Sequence, residues 1–214
     1  MYKIGNVNIV SDSHVLTTLN LKKLVGYELK ISIKEKEINQ YLKVAEYLIN
    51  YFEEANPKII DGHTISYHSW LLKFIIIEGV ISINEVKPNG EGFVDGCDNA
   101  IEIVEMQSAE CYNYNSVAIF PLFSQQIVIS KDIFDAQIIN AVRYPSPSHM
   151  TGWWLTSESF NGDVLTLEII HYYHLAFKRP DILKYLALPF GFRFHLSTQT
   201  NIWFDQEVAK EAIK

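Results

Sequence analysis

SPSHMTGWWLTSESFNGD (146–163), VLTLEIIHYYHLAFK (164–178) and RPDILKYLALPFGFRF (179–194) follow one another without a break. They hold two of the four tryptophans and three of the seven histidines. Residues 152–157 predict a short strand, in which adjacent Trp153 and Trp154 must point to opposite faces. One is then core; the other is exposed or covered by a neighbouring element. Asn161-Gly162-Asp163 predicts a turn, with Asp163 capping a helix that runs to about residue 177. Arg179-Pro180 opens a second, shorter helix, since proline is allowed in the first turn. Pro189 and Gly191 stop it, and residues 192–196 return as a strand. Residues 201–204 extend the sheet. Asp205 then caps a final helix, with Val208 and Ile213 available to dock it.

Upstream, residues 2–10 alternate as a strand, 11–20 read as a polar loop, and 27–33 alternate again. Ser32 with Glu35 reads as a capping box. The helix it opens carries Ile38, Tyr41, Leu42, Ala45, Leu48, Ile49 and Phe52 on one stripe, and Asn56-Pro57 stops it. Residues 64–86 predict a β-hairpin turning at Glu78-Gly79. Asp98 caps a helix to about residue 112. A junction at 121–126 precedes strands at 127–130 and 138–144. Strands and helices are interspersed without regular βαβ spacing. The fold class is therefore α+β, with mixed or antiparallel sheets and packed helices in two small subdomains, 1–122 and 123–214.

The chain of 214 residues is 48% hydrophobic and 20% charged, enough apolar residue for a real core and against disorder. Its net charge of −7 argues against direct nucleic-acid binding, which needs clustered Lys and Arg. The opening MYKIGNVNIVSDSH lacks the basic start and apolar run of a signal peptide. The most apolar run, 70–77, contains Lys73 and is far shorter than the roughly 20 residues of a membrane span. A cytoplasmic location follows, and Cys97 and Cys111 read as reduced thiols, although one disulfide between them is possible.

No Lys or Arg occurs between Lys87 and Lys131. That interval carries Glu91, Asp95, Asp98, Glu102, Glu105 and Glu110. It reads either as a solvated helix face, with Asp98 and Glu102 well placed near a helix N-terminus, or as a patch that steers a basic partner.

Catalytic motifs are missing. There is no Walker loop, GxGxxG or GxSxG pattern. Glu168, His171 and His174 stand at i, i+3, i+6, unlike the two histidines four apart of zinc hydrolases. His149 and His195 could add ligands, so a histidine-dependent metal hydrolase remains an alternative. His63 and His68 read as core or edge residues. Cys97 precedes a helix N-terminus, which can lower a thiol pKa. No catalytic residue, cofactor or metal ligand is assigned on these grounds.

The segments IVISKDIF (127–134), AVRYPSPSHMTGWW (141–154) and RPDILKYLALPFGFRF (179–194) resemble the C-terminal module of bacterial immunity proteins encoded beside polymorphic toxins. DGHTISYHSWLLKF (61–74) is similar to the amino-terminal half of longer members. The resemblance implies a non-enzymatic inhibitor that binds a cognate protein toxin and occludes it; the charge and the short apolar runs already speak against nucleic acid or membrane as partner. An adaptor without a toxin partner is the other non-catalytic reading. Within the resemblance, Gly191 suits a tight turn, Pro189 a helix stop and Trp153 a core anchor. Glu91, Asp95, Asp98, Glu102, Glu105 and the exposed member of the tryptophan pair, Trp154, are the candidate toxin-binding residues.

Overall fold

A computed structural model describes residues 1–211, so Ile213 lies outside the described residues. The chain divides into two compact units, residues 1–103 and 104–214. The chain is α+β, with a mixed sheet in each unit.

In the first unit, β1 (Tyr2–Ile4) and β2 (Val7–Ser11) form a hairpin where the sequence predicts one strand. Gly5, at φ 54°, supplies the reversal. β3 (Val15–Thr18) lies inside the predicted polar loop. Its signal was hidden by the turn before it, where the Asp12 carboxylate accepts from His14 N and Val15 N. Then follow a single turn α1 (Lys22–Val25), β4 (Glu28–Ser32) and the long helix α2 (Ile38–Ala55). The capping box of α2 is Glu37 with Gln40, not Ser32 with Glu35. Ser32 stays in β4, paired to Val15. Asn56 closes the helix in the left-handed region, just before Pro57.

β5 (Thr64–Tyr67), β6 (Trp70–Ile77), β7 (Val80–Val86) and β8 (Phe93–Asp95) complete this sheet. The order is β1-β2-β3-β4-β7-β6-β5, with β8 also on β7. Glu78 and Gly79 both have positive φ, as a two-residue hairpin turn requires. Tyr41, Val44, Leu48, Ile49 and Phe52 of α2 are buried with Ile9, Leu16, Leu29, Ile31, Phe74 and Ile81 of the strands.

The division between units falls within α3 (Asp98–Asn113). Its N-terminal amides are capped by a residue distant in sequence. The buried Glu85 carboxylate of β7 accepts from Asn99 N at 3.0 Å and Ala100 N at 2.7 Å. Asp98, the predicted cap, instead accepts from Tyr41 Oη and Glu35 N.

The second unit holds β9 (Gln126–Ser130), β10 (Ile139–Arg143), β11 (Met150–Ser157), β12 (Leu167–His171), α4 (Tyr172–Lys178), β13 (Phe192–Leu196), β14 (Asn201–Phe204) and α5 (Gln206–Ala209). The sheet order is β12-β9-β11-β10-β13-β14, antiparallel except for β9 with β11. The helix predicted to reach residue 177 is corrected. Asp163 caps one 3-10 turn, Val164–Thr166, after which Leu167–His171 pairs with β9 along its whole length. Ladder hydrogen bonds to a buried neighbour outweigh the apparent helical period, and β-branched Ile169-Ile170 suit a strand. Pro180–Tyr185 forms a 3-10 segment. The Asp205 carboxylate caps α5 as predicted, accepting from Glu207 N and Val208 N.

Candidate functional site

One buried cation organises the second unit. Arg143, at the end of β10, is 1% exposed and carries five N–H donors. It donates to the carbonyls of Thr151 (2.9 Å), Ile119 (2.7 Å), Leu186 (3.2 Å) and Leu188 (2.6 Å). Its guanidinium also faces the Trp153 and Phe190 rings. Burial pushes it down to about 9, which leaves it charged at neutral pH. Trp153 Nε1 donates to the Leu186 carbonyl as well, at 2.8 Å. The three segments AVRYP, TGWW and LPFGF therefore meet at one point.

Two glycines permit the approach. A Cβ on Gly152 would lie 2.2 Å from the Tyr144 carbonyl oxygen, and Gly152 has φ +81°. A Cβ on Gly191 would lie 2.6 Å from Ala209 Cβ, and Gly191 N donates to the Arg143 carbonyl.

The outward face follows from this lock. Residues alternate across a strand, so with Arg143 and Trp153 turned in, Tyr144 and Trp154 turn out. Their rings meet edge to face, 5.9 Å between centroids. The pair forms a ridge between two hollows. One, of about 340 Å³, is lined by Pro145, Pro147 and Met150 among others. The other, of about 330 Å³, is lined by Val142, Thr156, Phe160, Arg193 and Trp203 among others. Register extends the same face across the whole sheet: Ile169, Val128, Trp154, Val142, Arg193 and Trp203 stand side by side on β12, β9, β11, β10, β13 and β14. Ile169 is 60% and Trp203 44% exposed. Arg193, the charge in this file, is paired to Asp205 at 2.9 Å.

Of the residues singled out in the sequence, Trp154 sits at the centre of this face, half-buried. Tyr144, Phe160 and Trp203 were missed. Alternation past the odd Arg143 in AVRY, and within NIWF, was the signal that could have found them.

The acidic residues lie elsewhere. Glu91, Asp95, Asp98 and Glu102 belong to the first unit, Glu105 to the second. The gap in bases along the sequence is partly closed in space. Lys34 pairs with Asp95 at 3.3 Å and Lys36 with Glu102 at 3.0 Å. Ser32 Oγ also donates to Asp95. Glu91 is exposed in a turn, with its backbone N–H donated to the Asn89 side chain.

The histidines do not converge. Glu168 and His171 are on β12 and His174 on α4; the two imidazoles are 6.3 Å apart. His195 Nδ1 is 2.8 Å from the Asn140 amide oxygen. His68 packs against Tyr47 and Tyr67. Among the described residues, no three His, Cys, Asp or Glu side chains are grouped to hold a metal ion. Cys97 and Cys111 are buried free thiols. Burial and the carboxylates of Glu85, Asp98 and Asp95 push the Cys97 thiol well up, against the lowering that its helix position suggested. Among the described residues, no helix is long and apolar enough to cross a membrane.

Residues 106–205 match the family model of the Imm33-like domain. No curated protein and no solved structure matches the chain.

Proposed function

We propose that this chain is an immunity protein, which binds a cognate bacterial toxin and neutralises it by occlusion, and that the open face of the second sheet is the contact surface. The observation that carries this reading is the Tyr144–Trp154 ridge between two hollows, within the residues that match an immunity-type domain. An uncovered sheet face is normally polar. Here one row, Ile169, Val128, Trp154, Val142 and Trp203 with the paired Arg193 among them, is mainly aromatic and aliphatic, beside a polar row of Thr156, Asn140, His195 and Asn201: an apolar strip with a polar rim, as interfaces have. Rings that are already held in place lose little entropy when a partner covers them. Ridge and hollows together offer a shape into which a toxin can interdigitate.

The acidic residues Glu91, Asp95, Asp98, Glu102 and Glu105 have a smaller part in this proposal. They favour encounter with a basic toxin, weakened by the pairing of two of them to lysines. A toxin that acts on nucleic acid, and is therefore basic, suits them best. No bond is made or broken on either surface.

The test is co-expression with the toxin encoded beside this chain. Growth arrest by that toxin disappears when the wild-type chain is present. It persists with Tyr144→Ala/Trp154→Ala, whose thermal unfolding stays close to wild type. Full protection by the double variant removes the ridge from the contact surface. No protection by the wild type removes the immunity reading, and an adaptor role takes its place.

A further inference from the structure

Asn-Gly occurs twice in the chain, at Asn89-Gly90 and Asn161-Gly162. The dipeptide carries its own chemistry. Glycine has no Cβ to shield its backbone nitrogen, so that nitrogen can reach the carbonyl carbon of the Asn side chain before it. Both asparagines are exposed. Each side-chain oxygen accepts from the backbone N–H two residues on, Glu91 N at 3.0 Å and Asp163 N at 2.9 Å. In sequence and in this bond the two sites are alike.

They differ at the atoms that would react. Gly90 N donates to the Lys87 carbonyl at 2.8 Å, and Asn89 Nδ2 donates to the Glu91 carboxylate at 3.1 Å. The attacking nitrogen and the leaving amide are therefore both tied. Lys87 N also donates to the Gly92 carbonyl, which closes that turn. At the second site, among the described residues, neither Gly162 N nor Asn161 Nδ2 has a hydrogen-bond partner. Gly162 is exposed at φ +93°, and a Cβ built on it would meet nothing within 4 Å. Nothing crowds that side of the turn.

We infer that Asn161 is a self-modification site, at which the side-chain amide is lost to water without an enzyme. Gly162 N loses its proton and bonds to Asn161 Cγ. The Cγ–Nδ2 bond breaks and ammonia leaves, giving a cyclic imide. Water then opens the ring. Addition at Cγ restores the main chain with aspartate at 161; addition at the main-chain carbonyl leaves isoaspartate, whose backbone is one atom longer. The balance is asparagine plus water to aspartate or isoaspartate plus ammonia, with no oxidant or reductant. Gly162 lines the hollow of about 330 Å³ beside the Tyr144–Trp154 ridge, together with Phe160, Arg193 and Trp203. Conversion thus places a carboxylate in the wall of that hollow. On the reading of the open face as the toxin contact, a bound toxin holds this turn and slows the reaction.

The experiment incubates the full chain at mildly alkaline pH and follows both sites by peptide mass spectrometry, which reads the exchange of an amide for a carboxylate. Synthetic peptides of residues 86–93 and 158–165 supply the unrestrained rates. In the folded chain Asn161 converts within about threefold of its peptide, less than an ordinary hydrogen bond would impose. Asn89 lags its peptide by about tenfold or more, because two such bonds must first break. An equal lag at both sites, or a longer one at Asn161, overturns the inference. In the complex with the toxin identified by co-expression, conversion at Asn161 slows by about threefold or more, as local opening is suppressed. An unchanged rate in the complex overturns the link between this turn and the contact face. Absence of any complex overturns the toxin reading, while the comparison in the free chain still decides the site.

Discussion

Each unit has a sheet with one packed face and one open face, and the two open faces are built from different residues. In the first unit, Val10, Thr17, Lys30, Ser82 and Ile75 stand side by side across β2, β3, β4, β7 and β6. The neighbouring row is Thr64, Lys73 and Asn84. Hydroxyls, ammonium groups and an amide there suit a face that ends in water, and the Lys73 ammonium lies over the Phe93 ring, 5.0 Å from its centroid. In the second unit the corresponding file is Ile169, Val128, Trp154, Val142, Arg193 and Trp203. The first file is thus mainly polar, with Val10 and Ile75 in it, and the second mainly apolar, with a polar row of Thr156, Asn140, His195 and Asn201 beside it, which is the difference expected if the second face is the one a partner covers.

The largest effect is expected where the second face is fixed in orientation. Arg143→Ala leaves the carbonyls of Ile119, Thr151, Leu186 and Leu188 without their donor and opens a void against Trp153 and Phe190. Buried carbonyls left without a donor cost about 1–3 kcal/mol each and the void adds to that, so the loss should be about 3–5 kcal/mol. Denaturant unfolding followed by hydrogen exchange should show the loss in the amides of the second unit. A loss below about 1 kcal/mol, the worth of an ordinary hydrogen bond, would mean that something other than the guanidinium turns Trp154 outward.

Next comes a matched pair of truncations, one on each face. Trp154→Ala should weaken toxin binding by about 2–4 kcal/mol, as expected of an aromatic anchor near the centre of an interface. Lys30→Ala, at the middle of the file on the first face, should leave the affinity unchanged. Calorimetric titration of both variants checks this. Equal losses would erase the distinction between the faces.

Much of this was legible before the structure. The α2 stripe, the β6–β7 hairpin and the opposed tryptophans follow from periodicity and turn chemistry alone. What stayed hidden depended on partners far away in sequence. The segment 164–177 has an apolar spacing that serves helix or strand equally well, and only the neighbouring β9 decides for a strand. Asp98 looks like a cap because caps are usually local; the cap in place is Glu85, thirteen residues upstream of Asp98 across a turn. The run without bases between Lys87 and Lys131 misleads for the same reason. Lys34 and Lys36 reach it through the fold. The opposite orientation of Trp153 and Trp154 was legible because alternation is local; alternation in AVRY and NIWF also marks Tyr144 and Trp203 as facing away from their strand neighbours, but that they share the Trp154 face takes cross-strand register.

The two units also offer different responses to acid. Burial raises the Glu85 carboxyl in the first, outweighing the donors from Asn99 and Ala100. In the second, Asp181 is lowered by the Arg179 guanidinium, with which it shares two hydrogen bonds. Between the ordinary glutamate value and the raised one, folded Glu85 holds a proton that the unfolded chain has lost. Its contribution to stability therefore falls as pH rises through that window and recovers on acidification. For Asp181 the contribution is present above the ordinary aspartate value and is lost as pH falls through the lowered one. Wild type should accordingly gain stability relative to Glu85→Gln on moving from neutral pH toward the ordinary glutamate range, and lose it relative to Asp181→Asn only at more acid pH. Paired urea titrations across that range check both signs.

The smallest effect is expected from the acidic stretch. Glu102 is paired to Lys36 at 3.0 Å, with its own side chain 67% exposed. Such a pair is worth about 0–1 kcal/mol, so Glu102→Lys should barely move the unfolding midpoint. If the toxin is basic, the added charge should slow association by roughly a factor of a few at low salt, because only the long-range field changes. In about 1 M salt the screening length shrinks to roughly 3 Å and the difference should vanish. Stopped-flow mixing at two salt concentrations separates the cases. A slowing of tenfold or more that survives high salt would place Glu102 in direct contact with the toxin, and the polar unit would then share in binding. A rate insensitive to the reversal at both salts would assign these carboxylates to hydration and to the local pairing that Lys34 and Lys36 already supply, leaving recognition to the aromatic face.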